Sequence, residues 1–208
     1  MTGQGIVIGG GIGGLLAARM LAARFERVTV LERYPYPVDP ASPAPASRRG
    51  APQSRCLHLL MAGGAAAFDE VVPGWREALV GLGAVPIDAS ADAAMQFPAG
   101  WLPRTPSGII TYACSRSLLE CMLRRALEAQ PNVQVLEGQQ VVALLGTGRR
   151  VTGVRTAGVD GFGETSVAAD LVVDASGRGS RLPEWLGTVQ SLGGTVLDSM
   201  PGFTLLMA

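Results

Sequence analysis

Apolar residues in this chain fall into short unbroken runs and into stripes at helical spacing, and their order predicts the elements. GIVIG (residues 5–9) is an apolar, β-branched run of the kind needed by a strand buried on both faces. Ile12 to Arg24 then places Leu15, Leu16, Ala18, Leu21 and Ala22 at helical spacings. RVTVLE (27–32) follows as a second apolar strand that ends on an acid. Strand, tight turn, helix and strand in that order predict a βαβ unit with parallel strands.

From Arg33 to Arg55 the pattern breaks down, with prolines at 35, 37, 40, 43, 45 and 52. A loop of that length inside a domain is usually functional or mobile. Leu57 to Val72 reads as helix despite Gly63 and Gly64, and Trp75 to Leu82 as a shorter one. Residues 84–112 hold several short strand candidates separated by Pro and Gly. Ser115 to Ala129 gives the clearest helix, with Leu118, Leu119, Met122, Leu123, Ala126 and Leu127 as its apolar stripe. Ser115 suits its N-cap, and Pro131 follows its end. VQVLEG is a strand, and QVVALLGTG, RRVTGVRTA and ETSVAA predict three antiparallel strands with a glycine turn at 146–148. DLVVDA is a further buried strand, leading through SGRGS into a short helix near Leu182 to Leu186. No internal repeat points to a solenoid.

Composition narrows the chemistry. The chain has 208 residues, 48% of them hydrophobic and 16% charged, enough for one sizeable domain and too apolar for general disorder. Seventeen basic residues balance seventeen acidic ones, so no net charge favours nucleic acid. Every basic residue is Arg, which removes lysine Schiff-base chemistry and a Walker-type phosphate lysine. No apolar run reaches the length of a transmembrane helix. The first strand begins at Gly5, which leaves no room for a signal peptide, and Cys56, Cys114 and Cys121 form neither a closed disulfide set nor a zinc-ligand pattern. A reducing, cytoplasmic setting is expected.

The chemistry sits first in GGGIGG, where Gly9, Gly11 and Gly14 fill a G-x-G-x-x-G pattern. Gly9 permits the tight turn, Gly11 lets backbone approach a pyrophosphate, and Gly14 allows the helix to pack on the strand. The helix start beyond it offers N–H groups and a partial positive charge to phosphates. Glu32 lies eighteen residues after Gly14, where an acid accepts from ribose hydroxyls. A bare glycine pattern is a weak signal. Preceded by a strand, followed by a helix and completed by Glu32, it predicts dinucleotide binding. A plain NAD dehydrogenase would continue with alternating strands and helices, whereas this chain makes an excursion over residues 33–132 and then inserts a β-meander.

Four stretches carry a family resemblance: VIGGGIGGLLAARML with Glu32, RRGAPQSRCLHLL, SRSLLECMLRRAL and ADLVVDASGRGSRLPEWL. On them the chain resembles the FAD-dependent monooxygenase superfamily, of the aromatic-hydroxylase type with a glutathione-reductase-like fold. The resemblance implies a Rossmann-like α/β FAD-binding domain, with a parallel sheet plus a three-stranded antiparallel β-meander. It places this domain over residues 1–187 and leaves 188–208 as an atypical tail at the start of a truncated substrate domain. The resemblance implies that the first stretch holds the ADP part of FAD and that Arg116 faces the cofactor. The fourth stretch is similar to a second fingerprint that touches FAD and helps NAD(P)H dock as a transient reductant, with Asp170, Gly177, Ser180 and Arg181 as counterparts. Ser176 stands where many members have an Asp, and Cys56 where relatives often have a histidine. No Gly-Asp motif follows Arg181, so the chain is read as the N-terminal part of such a protein.

The candidate cofactor-binding residues are Gly9, Gly11, Ile12, Gly13, Gly14, Glu32, Arg33, Arg116, Asp174 and Gly177. No catalytic residue and no metal ligand is singled out, because in a flavin enzyme the cofactor carries the chemistry. The expected reaction is NAD(P)H-dependent hydroxylation of a small organic substrate. A flavin-dependent reductase of the geranylgeranyl reductase type and a non-catalytic nucleotide-binding fragment stay open beside it. A halogenase lacks support, since the family's catalytic Lys and its W-x-W-x-I-P stretch are missing. Arg48, Arg49 and Arg55 with Gln53 fit a role in lining the flavin entrance or steering NADPH phosphate as well as they fit a solvated, mobile loop. His58, the only histidine, reads as a packing or orienting residue at the start of a helix. Cys114 and Cys121 read as buried apolar groups without redox spacing.

Overall fold

The computed structural model describes residues 3–36, 48–55, 58–147, 150–190 and 204–206. In chain order the elements begin with β1 (Gln4–Ile8), α1 (Ile12–Ala22), β2 (Arg27–Glu32), β3 (His58–Leu60), α2 (Ala62–Val71) and α3 (Trp75–Gly81). Next come β4 (Val85–Asp88), β5 (Gln96–Phe97), β6 (Gly100–Trp101), β7 (Ile110–Cys114) and α4 (Arg116–Glu128). The chain continues through β8 (Val133–Glu137), β9 (Gln139–Thr147), β10 (Arg150–Gly158), β11 (Thr165–Ala168), β12 (Leu171–Asp174), α5 (Leu182–Gln190) and β13 (Thr204–Leu206). They fall into two compact units: one holds the described residues up to Tyr36, 48–50 and those from Leu123 onward, and the other holds Ala51–Met122.

The first unit is built on a sheet of order β13-β12-β1-β2-β8. β1 pairs in parallel with β12 and β2, and β2 with β8. Ile6 and Val7 are fully buried, as are Val28 and Val30, which explains why these strands read as unbroken apolar runs. On one face Ile6, Ile8, Leu31 and Val172 pack with Val141 and Val154 of the meander and with Leu182 and Trp185 of α5. The Asn132 side-chain amide donates to the carbonyls of Ala22 and Phe25, both at 2.8 Å, and so ties the end of α1 to the start of β8. β9, β10 and β11 form the expected antiparallel three-stranded sheet. The α/β class with a parallel sheet and a meander is therefore the observed one. In the tail, β13 joins β12 in antiparallel register, an element that the weak periodicity there does not predict.

The second unit pairs an antiparallel sheet of order β3-β7-β4 with the short hairpin β5–β6 and helices α2 and α3. Trp75 packs edge-on between Phe68 and Tyr112, with ring centroids 5.5 and 4.9 Å away. Arg76 locks the cluster by donating to both Asp69 oxygens and, at 2.7 Å, to the Tyr112 hydroxyl. Asp88 gathers the Ser107 hydroxyl and the N–H groups of Ala91, Ser90 and Gly108, which hold its carboxyl well below the usual range. The helix expected over 57–72 is corrected here. His58–Leu60 is a strand, because it pairs with β7 (His58 with Cys114, Leu60 with Tyr112), and the helix starts only after Met61. His58 thus lies on a sheet and does not open a helix. Among the described residues no helix is long and apolar enough to cross a membrane.

Candidate functional site

Glycine is required where β1 passes into α1. Gly9 sits at φ +95°, the left-handed region that glycine alone enters freely, and its N–H donates to Leu31 O at 2.8 Å. A Cβ there would stand 2.7 Å from Ala175 O. Gly14 is more constrained still: a Cβ on it would lie 1.8 Å from Gly9 O. α1 therefore begins closer to the end of β1 than any side chain permits. Gly11 is its N-cap and supplies no side-chain hydrogen bond, so the first-turn N–H groups, at Ile12 and Gly13, keep their donor character for a ligand.

Glu32 ends β2 beside this turn and is buried. Its Oε2 accepts from Gly10 N at 2.6 Å and pairs with Arg48 Nη1 at 3.1 Å, and its Oε1 accepts from Tyr34 N at 2.9 Å. The Tyr36 hydroxyl donates to Gly10 O at 2.5 Å, so side chains engage both backbone groups of Gly10. The Tyr36 ring meets the guanidinium of Arg48 at 4.7 Å and that of Arg124 at 4.4 Å. Arg124 is itself paired with Glu128 and Glu137. Arg33 is half-buried, its guanidinium 5.7 Å from the Tyr34 ring centre. Of the readings open for Arg48, the solvated loop is not what is observed: its side chain is a buried partner of Glu32.

The end of β12 completes the arrangement. Asp174 stands in register with Ile8, so it lies at the glycine-turn end of the sheet. It accepts from Ser176 N at 2.9 Å and from the Ser180 hydroxyl, and that hydroxyl in turn accepts from Leu182 N at 3.0 Å at the start of α5. Gly177 adopts φ +79° in the intervening turn. Asp170 lies at the other end of the strand, accepting from Gln4 N at 2.8 Å. Four residues of strand, about 13 Å, separate it from the turn. Arg181 pairs with Glu184 on the surface.

Arg116 opens α4 in the second unit, with Nε 2.9 Å from Glu120 Oε1, and Ser115 Oγ caps the helix by accepting from Leu118 N at 3.1 Å. The structure thus brings together Gly9, Gly11–Gly14, Glu32 and Asp174 within one unit, while Arg116 belongs to the other. Sequence reasoning missed Tyr36. No local pattern marks a tyrosine four residues past the acid, since its partners come from Gly10, Arg48 and Arg124. Cys121 is buried, and burial pushes the Cys114 thiol up to about 11. Cys114 is therefore expected to stay protonated at neutral pH and to alkylate slowly with iodoacetamide. Its rate should rise about tenfold per pH unit up to that value. Peptide mass spectrometry across a pH series checks this, and fast labelling at pH 7 contradicts it.

Comparisons with known proteins bear on this site. The family described as FAD binding domain matches residues 3–200. The Mycobacterium tuberculosis protein Rv3254 is 40% identical over 192 residues, which cover 87% of this chain and 39% of that protein. The myxobacterial chondrochloren halogenase CndH, described as a variant of FAD-dependent halogenases, superposes with TM-score 0.60 at 26% identity, over 86% of this chain and 38% of its own. The p-nitrophenol 4-monooxygenase PnpA from Pseudomonas putida shares the fold, with TM-score 0.62 and 22% identity over 89% of this chain and 44% of its own. The chain spans about two fifths of the length of these relatives.

Proposed function

This chain belongs to the FAD binding domain family, and on that premise we propose that it holds FAD at the β1–α1 turn and serves NAD(P)H-dependent monooxygenation of a small organic molecule. The observation that carries the reading is the close packing of Gly14 on Gly9 beside a buried Glu32. This geometry brings the start of α1 against the end of β1 and supports backbone N–H groups as the partners of a pyrophosphate. The cradle fits the cofactor. Gly11, Ile12 and Gly13 would hold the diphosphate through N–H groups and the helix dipole. A carboxylate has about four lone-pair sites. Three contacts already engage Glu32, two of them on Oε2, so Oε1 keeps room for a ribose hydroxyl. Asp174 fixes the 175–180 turn through Ser176 and Ser180, which supports assigning Gly177 to the same ligand. Bound FAD supplies the redox chemistry, and the protein's part is binding, orientation and exclusion of water. Residues 1–187 form the FAD-binding domain in this reading, with Arg33 as a further cofactor contact.

The test is a visible spectrum of gently purified protein followed by FAD titration. A bound flavin band, or saturable uptake of added FAD, is expected, together with bleaching on addition of NADH or NADPH. Folded protein that takes up no FAD overturns the proposal. Flavin uptake with no NAD(P)H-dependent bleaching overturns the monooxygenase part of the reading and leaves FAD binding standing.

A further inference from the structure

We infer that Tyr36 is a positioning residue for the cofactor, fixing through its hydroxyl the peptide between Gly10 and Gly11. The inference rests on the FAD reading above. A trans peptide is planar, so its C=O and N–H point in opposite directions. The Tyr36 hydroxyl donates to Gly10 O at 2.5 Å. Holding that carbonyl on one side aims the Gly11 N–H to the other, at the N-cap of α1. The preceding peptide is fixed separately, because Gly10 N–H donates to Glu32 Oε2. Two side chains thus set two successive peptide planes of the turn.

The ring is held as firmly as the hydroxyl. Tyr36 is 8% exposed, with the Arg48 and Arg124 guanidinium groups against its ring and its own N–H donating to Glu137 Oε2 at 3.1 Å. The hydroxyl also fills the space of a missing side chain: a Cβ on Gly10 would lie 2.0 Å from Tyr36 Oη and 3.1 Å from Cζ. Gly10 and Tyr36 are therefore a matched pair. A glycine at 10 is what lets this tyrosine reach the turn.

The experiment follows Gly11 itself as well as the ligand. In nitrogen-labelled unliganded protein, Tyr36→Phe is expected to move the Gly11 amide resonance. It should weaken FAD and ADP alike, by about tenfold, as for one lost hydrogen bond to the turn. Gly10→Ala should weaken both ligands more in the wild-type background than in the Tyr36→Phe background, where the colliding oxygen is gone. That rescue reports the steric fit of Gly10 to the hydroxyl, while the Gly11 resonance and the equal loss of FAD and ADP report the positioning of the peptide. An unmoved Gly11 resonance, or FAD and ADP affinities within twofold of wild type, overturns the inference while the FAD reading stands. Wild-type protein that takes up neither FAD nor ADP overturns the FAD reading and, with it, the role given to Tyr36.

Discussion

Replacing Glu32 by alanine is expected to cost about 3–5 kcal/mol of stability, the usual penalty for removing one partner of a buried ion pair. The side chains of Arg48 and Glu32 are only 7% and 9% exposed, so the guanidinium left behind is largely shielded from bulk water. The same change takes the acceptor from the N–H groups of Gly10 and Tyr34, and buried donors left unsatisfied add to the loss. FAD affinity should fall by at least about tenfold as well, since the ribose acceptor is gone and the turn is freed on one side. Denaturant midpoints and FAD fluorescence titration measure the two effects separately. Glu32→Gln is the companion variant that guards against simple misfolding. It keeps the shape and one acceptor oxygen, but turns an N–H₂ group toward one of the two backbone donors. Its loss should fall between wild type and alanine. An alanine variant that unfolds at the wild-type midpoint means that Glu32 does not hold the turn as observed.

The parts of this site legible in the sequence are those set by neighbours in the chain. The β1–α1–β2 unit announces itself because strands buried on both faces must be apolar throughout, and because Gly9, Gly11 and Gly14 answer to local backbone demands. The α4 stripe and its Ser115 cap are local too, and both are observed. What the sequence hides is set by distant partners. β3 is three residues long, and it is a strand only because β7 pairs with it. Asp170 and Asp174 flank the same strand and look alike in sequence. Only the register of Ile8 with Asp174 shows which of them stands at the glycine turn. Arg48 lies in a stretch whose composition reads as loop, and its burial follows from Glu32. Tyr36 depends on Gly10, Arg48, Arg124 and Glu137 together, a set no spacing rule collects.

Gly14→Ala tests the glycine turn by one methyl group. The added Cβ would sit 1.8 Å from Gly9 O and 3.0 Å from Gly9 C, both main-chain atoms that no rotamer change can move aside. An ordinary contact needs more than an ångström of extra room, so α1 must shift away from the end of β1. Leu15 and Ala18 of that helix are fully buried, which means the shift disturbs a packed core and not only the turn. Overpacking of this kind costs about 1–3 kcal/mol, and the backbone collision argues for the upper end. FAD uptake should be lost or weakened by about a hundredfold, because moving α1 displaces every first-turn N–H at once. Gly63→Ala is the control. It lies in the first turn of α2, a Cβ there meets nothing within 4 Å, and its φ is not positive. Alanine is the better helix former by roughly 1 kcal/mol, so that variant should be as stable as wild type or more so, with FAD binding unchanged. The opposite signs separate the close approach at Gly14 from any general cost of losing a helical glycine. If both variants gain stability and both bind FAD as wild type does, the turn is looser than its geometry states, and the pyrophosphate assignment to Gly11–Gly13 falls with it.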